Sequence, residues 1–186
     1  MPRARRLTAA RRALPAVALG LLAAAPAFAK PQWNLGVEAA LCRLSQAEQE
    51  TRSDFCGAVH GDLMLLRERA TGFDIGPALR LGSAGFGDLR TDVGLGALLP
   101  VFSSFPLVLE AGPHFLGASA VGLHAGAFFG VRSFNHYGSY EIACGLVAAH
   151  QRVFDDEHRS AWWIGVRLDG GLLALPLLLG YGALRR

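Results

Sequence analysis

From Val121 to Arg132 the chain alternates without a break. Val, Leu, Ala, Ala, Phe and Val hold the odd positions, and Gly, His, Gly, Phe, Gly and Arg hold the even ones. Successive side chains of a strand point to opposite faces, so this segment has one wholly apolar face and one of glycine interrupted by charge. A helix would scatter both sets around its axis. The segment therefore reads as a strand between two very different environments.

Seven further segments repeat the pattern. Trp33–Cys42 sets Trp33, Leu35, Val37, Ala39 and Leu41 against Asn34, Gly36, Glu38 and Ala40. Ala58–Glu68 sets Val59, Leu63 and Leu65 against His60, Asp62 and Met64. In Phe73–Gly82, Phe73, Ile75, Leu79 and Leu81 oppose Asp74, Gly76, Ala78 and Arg80. Leu89–Leu99 opposes Val93, Leu95, Ala97 and Leu99 to Asp92, Gly94 and Gly96. Leu107–Leu116 opposes Leu107, Leu109, Ala111 and Phe115 to Glu110, Gly112 and His114. Tyr140–Phe154 sets Tyr140, Ile142, Cys144, Leu146 and Ala148 against Glu141, Ala143 and Gly145. The last begins at Ala161, with Trp162, Ile164, Val166 and Leu168 opposite Gly165, Arg167 and Asp169. Eight segments of about ten residues match the ~9–11 residues of a tilted membrane strand. A polar loop is expected over 43–57, and a turn bounded by prolines from Pro100 to Pro106.

Alternation alone does not say which face is outside. A soluble ligand-binding barrel would turn the apolar face inward and carry many Lys, Glu, Thr and Ser outside. Here the second face is mostly Gly and Ala with charges of both signs. Glu38, Asp62, Asp74, Asp92, Glu110, Glu141 and Asp169 can meet Arg80, Arg132, Arg167 and the histidines His60, His114 and His124. Small residues and paired charges suit the narrow lumen of an eight-stranded barrel. The expected fold is all-β, an antiparallel up-and-down transmembrane barrel with these residues as its lumen network.

Residues 1–29 read as a signal peptide. Arg3, Arg5, Arg6, Arg11 and Arg12 precede an apolar stretch, and Ala27-Phe28-Ala29 fits cleavage after Ala29. The whole chain carries a formal charge of +3. Beyond residue 29 there remain 13 Lys+Arg against 15 Asp+Glu, a net −2, so the basic balance belongs to the leader and nucleic acid is excluded as a partner. The remaining residues, 30–186, are enough for one domain. No apolar run reaches the ~18–20 residues of a membrane helix. Export to an oxidising compartment makes Cys42–Cys56 a candidate disulfide worth roughly 3 kcal/mol, with free thiols as the alternative, and leaves Cys144 unpaired. After Gly170-Gly171 the alternation shifts. Residues 172–186 are either a continuation of the last strand past a glycine bulge or an apolar tail at the membrane interface.

This run of amphipathic segments behind a leader resembles the small OmpA/OmpX-like outer-membrane barrels, over nearly the whole chain beyond the leader. The resemblance implies a porin-like, monomeric protein of a Gram-negative outer membrane, surrounded by lipid, without a cofactor or bound metal. It implies periplasmic termini, outer connections at 43–57, 83–88, 117–119 and 155–160, and periplasmic ones near 69–72, 100–106 and 133–139. The chain ends Leu184-Arg185-Arg186 where that family usually ends in an aromatic residue, and no wall-binding domain is expected after the barrel.

Some barrels of this size modify lipid A, and His136, Ser139 and Glu141 loosely resemble the catalytic set of lipid A deacylases. Their spacing departs from that family's close His-x-Ser, and the segment is expected on the periplasmic side. His60, His114 and His124 lie on separate strands and are expected as satisfied lumen histidines rather than metal ligands. A filled eight-stranded lumen argues against a general porin, while leaving small-ion leakage open. The 43–57 loop and Asp155-Asp156-Glu157-His158-Arg159 offer polar surfaces for an extracellular partner. The expected function is a non-enzymatic outer-membrane barrel with a structural or surface-interaction role. The alternatives are a lipid-modifying enzyme and a soluble periplasmic ligand-binding barrel.

Overall fold

The computed structural model describes residues 30–184 apart from 47–48, 67–68, 70–71, 86, 103, 118–119 and 135–137. Eight strands appear in the order β1 Gln32–Gln46, β2 Gln49–Met64, β3 Asp74–Ala84, β4 Leu89–Phe102, β5 Phe105–Leu116, β6 Ala120–Arg132, β7 Ala143–Val153 and β8 Ser160–Asp169. One helix, α1, follows over Gly170–Leu184. Each strand pairs antiparallel with the next, and β8 returns to pair with β1, closing the sheet.

Closure removes every sheet edge and satisfies the ladder without water, as a hydrocarbon surrounding requires. Tracing paired residues from Gly36 passes through His60, Arg80, Asp92, His114, Gly122 and Val153. The same offsets continue through Arg159 to Gln46, ten residues beyond the start. That stagger tilts the strands and fixes which lumen side chains meet.

The strand cores fall where alternation places them, but their ends do not. The expected 43–57 loop is corrected: β1 and β2 pair as far as Gln46 and Gln49, so the polar residues form a raised hairpin. Polarity there reports solvent on both faces, which a hydrogen-bonded ladder tolerates. β2 correspondingly ends at Met64 rather than Glu68. The expected turn from Pro100 to Pro106 shrinks as well, because both prolines lie inside strands beside a register shift between Leu99 and Phe102. An irregular ladder absorbs a missing N–H that a regular one would not. β7 starts at Ala143, with Tyr140 making only an isolated bridge to Trp33.

The long last strand is also corrected. At Gly170 the chain enters α1, whose first turn is capped by Asp169: its Oδ1 accepts from the Leu172 amide at 3.0 Å. The Gly171 amide donates to the Tyr140 hydroxyl at 3.1 Å. Adjacent Leu172 and Leu173 suit a helix that is apolar around its circumference, and α1 packs against β1 and β8. No helix among the described residues is long and apolar enough to cross a membrane.

The wall is inverted relative to a soluble barrel. Leu41 is 74% exposed, Ile164 67% and Leu146 63%, whereas Glu38, Arg132, Arg167 and Asp169 are buried inside. Exposed aromatics mark both ends of the outer face. Trp33, Phe73, Phe102 and Phe105 lie toward the rim carrying α1; Phe55, Phe115, Phe154 and Trp162 lie toward the opposite, hairpin rim. From Trp33 to Arg43 the ten steps of a tilted strand rise about 25 Å, the height of an outer-membrane apolar band. An eight-stranded transmembrane β-barrel is the fold.

Candidate functional site

The inward face brings charge from every strand into one space. Because of the stagger, His60, Arg80, Asp92 and His114 occupy paired positions on consecutive strands β2 to β5. Around them, glycines leave room for long side chains to cross. A Cβ on Gly36 would stand 3.0 Å from Arg167 Cγ, and one on Gly82 would stand 2.9 Å from the Trp163 ring. The glycine half of the alternation thus provides lumen volume.

Two connected ion-pair groups fill this volume. Toward the α1 rim, Arg132 donates to both Asp62 oxygens, at 2.9 and 2.5 Å, and to Glu141 at 2.5 Å. Deeper in the barrel, Glu38 lies 2.9 Å from Arg80 Nε and 2.7 Å from Arg167 Nη2. Glu110 takes His60 Nε2 at 2.9 Å and Arg167 at 3.4 Å. Asp92 pairs with His114 at 2.6 Å and Arg80 at 3.4 Å, while His124 stands 3.9 Å away. Five carboxylates thus face three guanidiniums, and His60 and His114 stand against Glu110 and Asp92. The Arg167 guanidinium also stacks 4.9 Å from the Phe128 ring centroid.

Asp74 and Asp169 are placed differently from the other lumen acids. Asp74 Oδ1 accepts from the Leu66 and Ile75 amides at 2.7 and 2.6 Å, tying the β2–β3 connection. Asp169 caps α1 and accepts from Tyr140 Oη at 2.7 Å and Asn34 Nδ2 at 2.9 Å. Both are buried at the α1 rim.

Sequence reasoning missed the neutral polar partners. Gln151 donates to Asp92 at 2.8 Å and accepts from Trp163 Nε1 and Arg90, each at 3.1 Å. Asn34 and Gln151 share the inward parity of the charges, which was the available signal. Apolar residues complete the filling. One cluster is Met64, Leu98, Val108, Phe128, Ala143 and Val147; another gathers Trp163 and small residues around Cys42 and Cys56. These two cysteines are joined as a disulfide with Cα atoms 5.9 Å apart, and Cys144 is free. The bond spans diagonal positions of the β1–β2 ladder rather than a loop.

The three histidines do not converge. His114 and His124 approach Asp92, whereas His60 reaches Glu110. Ligand atoms of His60, Asp62 and Glu110 do lie within 4.8 Å of one another. Arg132 already holds both Asp62 oxygens, however, and Arg167 and Arg80 flank Glu110. A cation would have to displace guanidiniums, so this donor set fits ion pairing better than coordination. His136 lies outside the described residues. The Ser139 carbonyl accepts from the Trp33 amide at 2.7 Å, and Glu141 is turned inward onto Arg132.

No family model matches the chain, and no curated protein matches it. Among the solved structures similar to it are three barrels. A designed transmembrane β-barrel is 12% identical with a TM-score of 0.40, covering 72% of this chain and 94% of its own. The designed barrel TMB2.3, solved by solution NMR, gives 12% and 0.41 over 75% and 96%. Ail, the attachment invasion locus protein of Yersinia pestis, solved with the heparin analogue sucrose octasulfate, gives 9% and 0.42 over 76% and 99%. At these values the likenesses carry no argument, and the barrel rests on its own strand pairing.

Proposed function

We propose that the chain is a non-catalytic outer-membrane β-barrel whose role is structural or one of surface interaction. The observation behind this is the inverted wall. Exposed Leu, Ile, Val and Phe cover the outside between two aromatic girdles, while the charges are paired within. In water that exterior would be an aggregation surface far beyond the few hundred Å² usual for a soluble monomer. In a bilayer it is the stable arrangement.

The filled lumen supports a structural role over transport. Arg80 and Arg167 reach shared carboxylates from different strands, so admitting solute would require breaking buried ion pairs. The outward-reaching β1–β2 hairpin and the 154–159 connection are the surfaces on offer to a partner outside the cell. The 154–159 connection is ordered by Arg159 on Asp155 at 2.6 Å.

Fractionation combined with heat-shift electrophoresis tests this reading. The expected result is recovery with outer membranes and a folded band that migrates differently from the boiled one. Recovery in the soluble periplasm without a heat-dependent band would overturn it. Lipid A mass analysis of expressing cells, with His136→Ala and Ser139→Ala as controls, should show no change attributable to the protein.

A further inference from the structure

The outward face carries arginines on one side of the hairpin rim that no carboxylate among the described residues pairs with. His150 on β7, Trp162 on β8 and Arg43 on β1 occupy paired positions on three neighbouring strands. Arg152 stands two residues nearer the rim than His150, on the same outward face. Arg43 and Arg152 are exposed, and neither has a carboxylate partner among the described residues. Their Cα atoms lie roughly 12 Å apart, from two strand spacings and two residues of rise. Long side chains from both can reach one ligand.

Immediately below this row the wall is apolar. Leu41 pairs with Ile164, and Leu146 lies beneath on β7; these three are among the most exposed apolar side chains of the barrel. Trp162 stacks on His150 with ring centroids 4.4 Å apart, forming a flat shoulder between cations and leucines. An open groove runs past Leu41, Arg43, Ser53, Asp54, Trp162 and Ile164. The acid in that groove, Asp54, is already held by Arg52 at 2.7 Å. Elsewhere around the outer face at this level stand Phe55, Leu89, Phe115, Val121 and Leu123, so the cationic sector is local.

We infer that the β7–β8–β1 sector binds a phosphorylated lipid of the leaflet that meets the hairpin rim. This rests on the membrane-barrel reading above. Arg43 and Arg152 take phosphate oxygens through charge-assisted hydrogen bonds, and Trp162 supports the headgroup. The acyl chains lie along Leu41, Ile164 and Leu146. Two arginines at a phosphate surface, directly above an apolar strip, match an anionic amphiphile and match neither a neutral lipid nor a free anion.

The test uses the protein refolded in neutral detergent micelles and titrated with diphosphoryl lipid A, with phosphatidylcholine, with inorganic phosphate, or with lipid A lacking both phosphates. Binding is read by native mass spectrometry. Saturable one-to-one binding of diphosphoryl lipid A is expected, weakened about tenfold or more by Arg43→Gln with Arg152→Gln and unchanged by Arg69→Gln, an exposed arginine of the β2–β3 connection at the α1 rim. The dephosphorylated lipid should bind with a similar loss to unaltered protein, a comparison that needs no variant to fold. Equal binding of phosphatidylcholine or of the dephosphorylated lipid would overturn the proposal, as would displacement by millimolar phosphate alone. A heat-shifted band in the same samples shows that the barrel itself is intact, which separates failure of this site from failure of the fold.

Discussion

The inner and outer surfaces of the wall are built from alternate residues of the same strands, yet they satisfy opposite requirements. On β8, Val166 and Leu168 face out at 41% and 45% exposure, while Arg167 between them is fully buried against Glu38 and Glu110. Outside, a side chain needs only to be apolar and roughly the right length. Inside, it must find a named partner, because a charge away from water is costly unless paired. The outer face should therefore tolerate apolar exchange, and the inner face should resist almost any change of charge.

Removing one inner partner should have the largest effect. Arg132→Ala leaves Asp62 and Glu141 buried without their common cation and is expected to cost about 3–5 kcal/mol in urea unfolding from vesicles. If the loss were under about 1 kcal/mol, the interior would be wetter than its burial implies. The outer counterpart is Leu95→Arg, which sets a charge against hydrocarbon near mid-wall and should cost about 2–4 kcal/mol, while Leu95→Ile should be nearly silent. Equal tolerance of Arg and Ile at that position would argue against lipid contact.

A third variant lies where the two surfaces meet. Asp169→Ala removes the cap of α1 and should lower stability by about 1–2 kcal/mol, with a loss of helical circular dichroism that Arg132→Ala does not produce. The smallest response belongs outside the wall altogether. Desolvation of Asp155 opposes the combined effect of Arg159, whose hydrogen bonds and charge hold the carboxyl below the usual aspartate range. A depressed carboxyl supports the loop above the unfolded pKa, and that support is lost as pH falls through the folded value. Asp155→Asn should leave the unfolding midpoint unchanged within error, and its loop resonances should differ from the parent's at neutral pH and converge with them at acid pH.

The sequence made the wall readable because alternation is local: each strand carries its own inside and outside. What it left open depends on relations between strands. Glu38, Arg80, Arg167 and Glu110 were evident as lumen charges, but their pairing follows from a stagger that no single segment encodes. Gln151 and Asn34 carried the inward parity without standing out, because a lone amide has no obvious partner until Asp92 or Asp169 is beside it. Polar residues at 43–57 and prolines at 100 and 106 suggest loops, whereas the ladder runs on through them. In α1 the Leu-rich run suited either strand or helix, and the decisive feature was Asp169 turning from lumen charge to cap.

The pairing of β1 with β8 also governs the order in which the molecule can form. All other neighbours are consecutive in the chain, whereas this seam joins Gly36 to Asp169. Closing so long a span costs roughly 2 kcal/mol more chain entropy than closing a hairpin, and nothing at the seam repays it until both edges are complete. The hairpins can form early and independently, with the first already cross-linked by Cys42 and Cys56. The slow step is the last one, when an open curved sheet meets its own beginning.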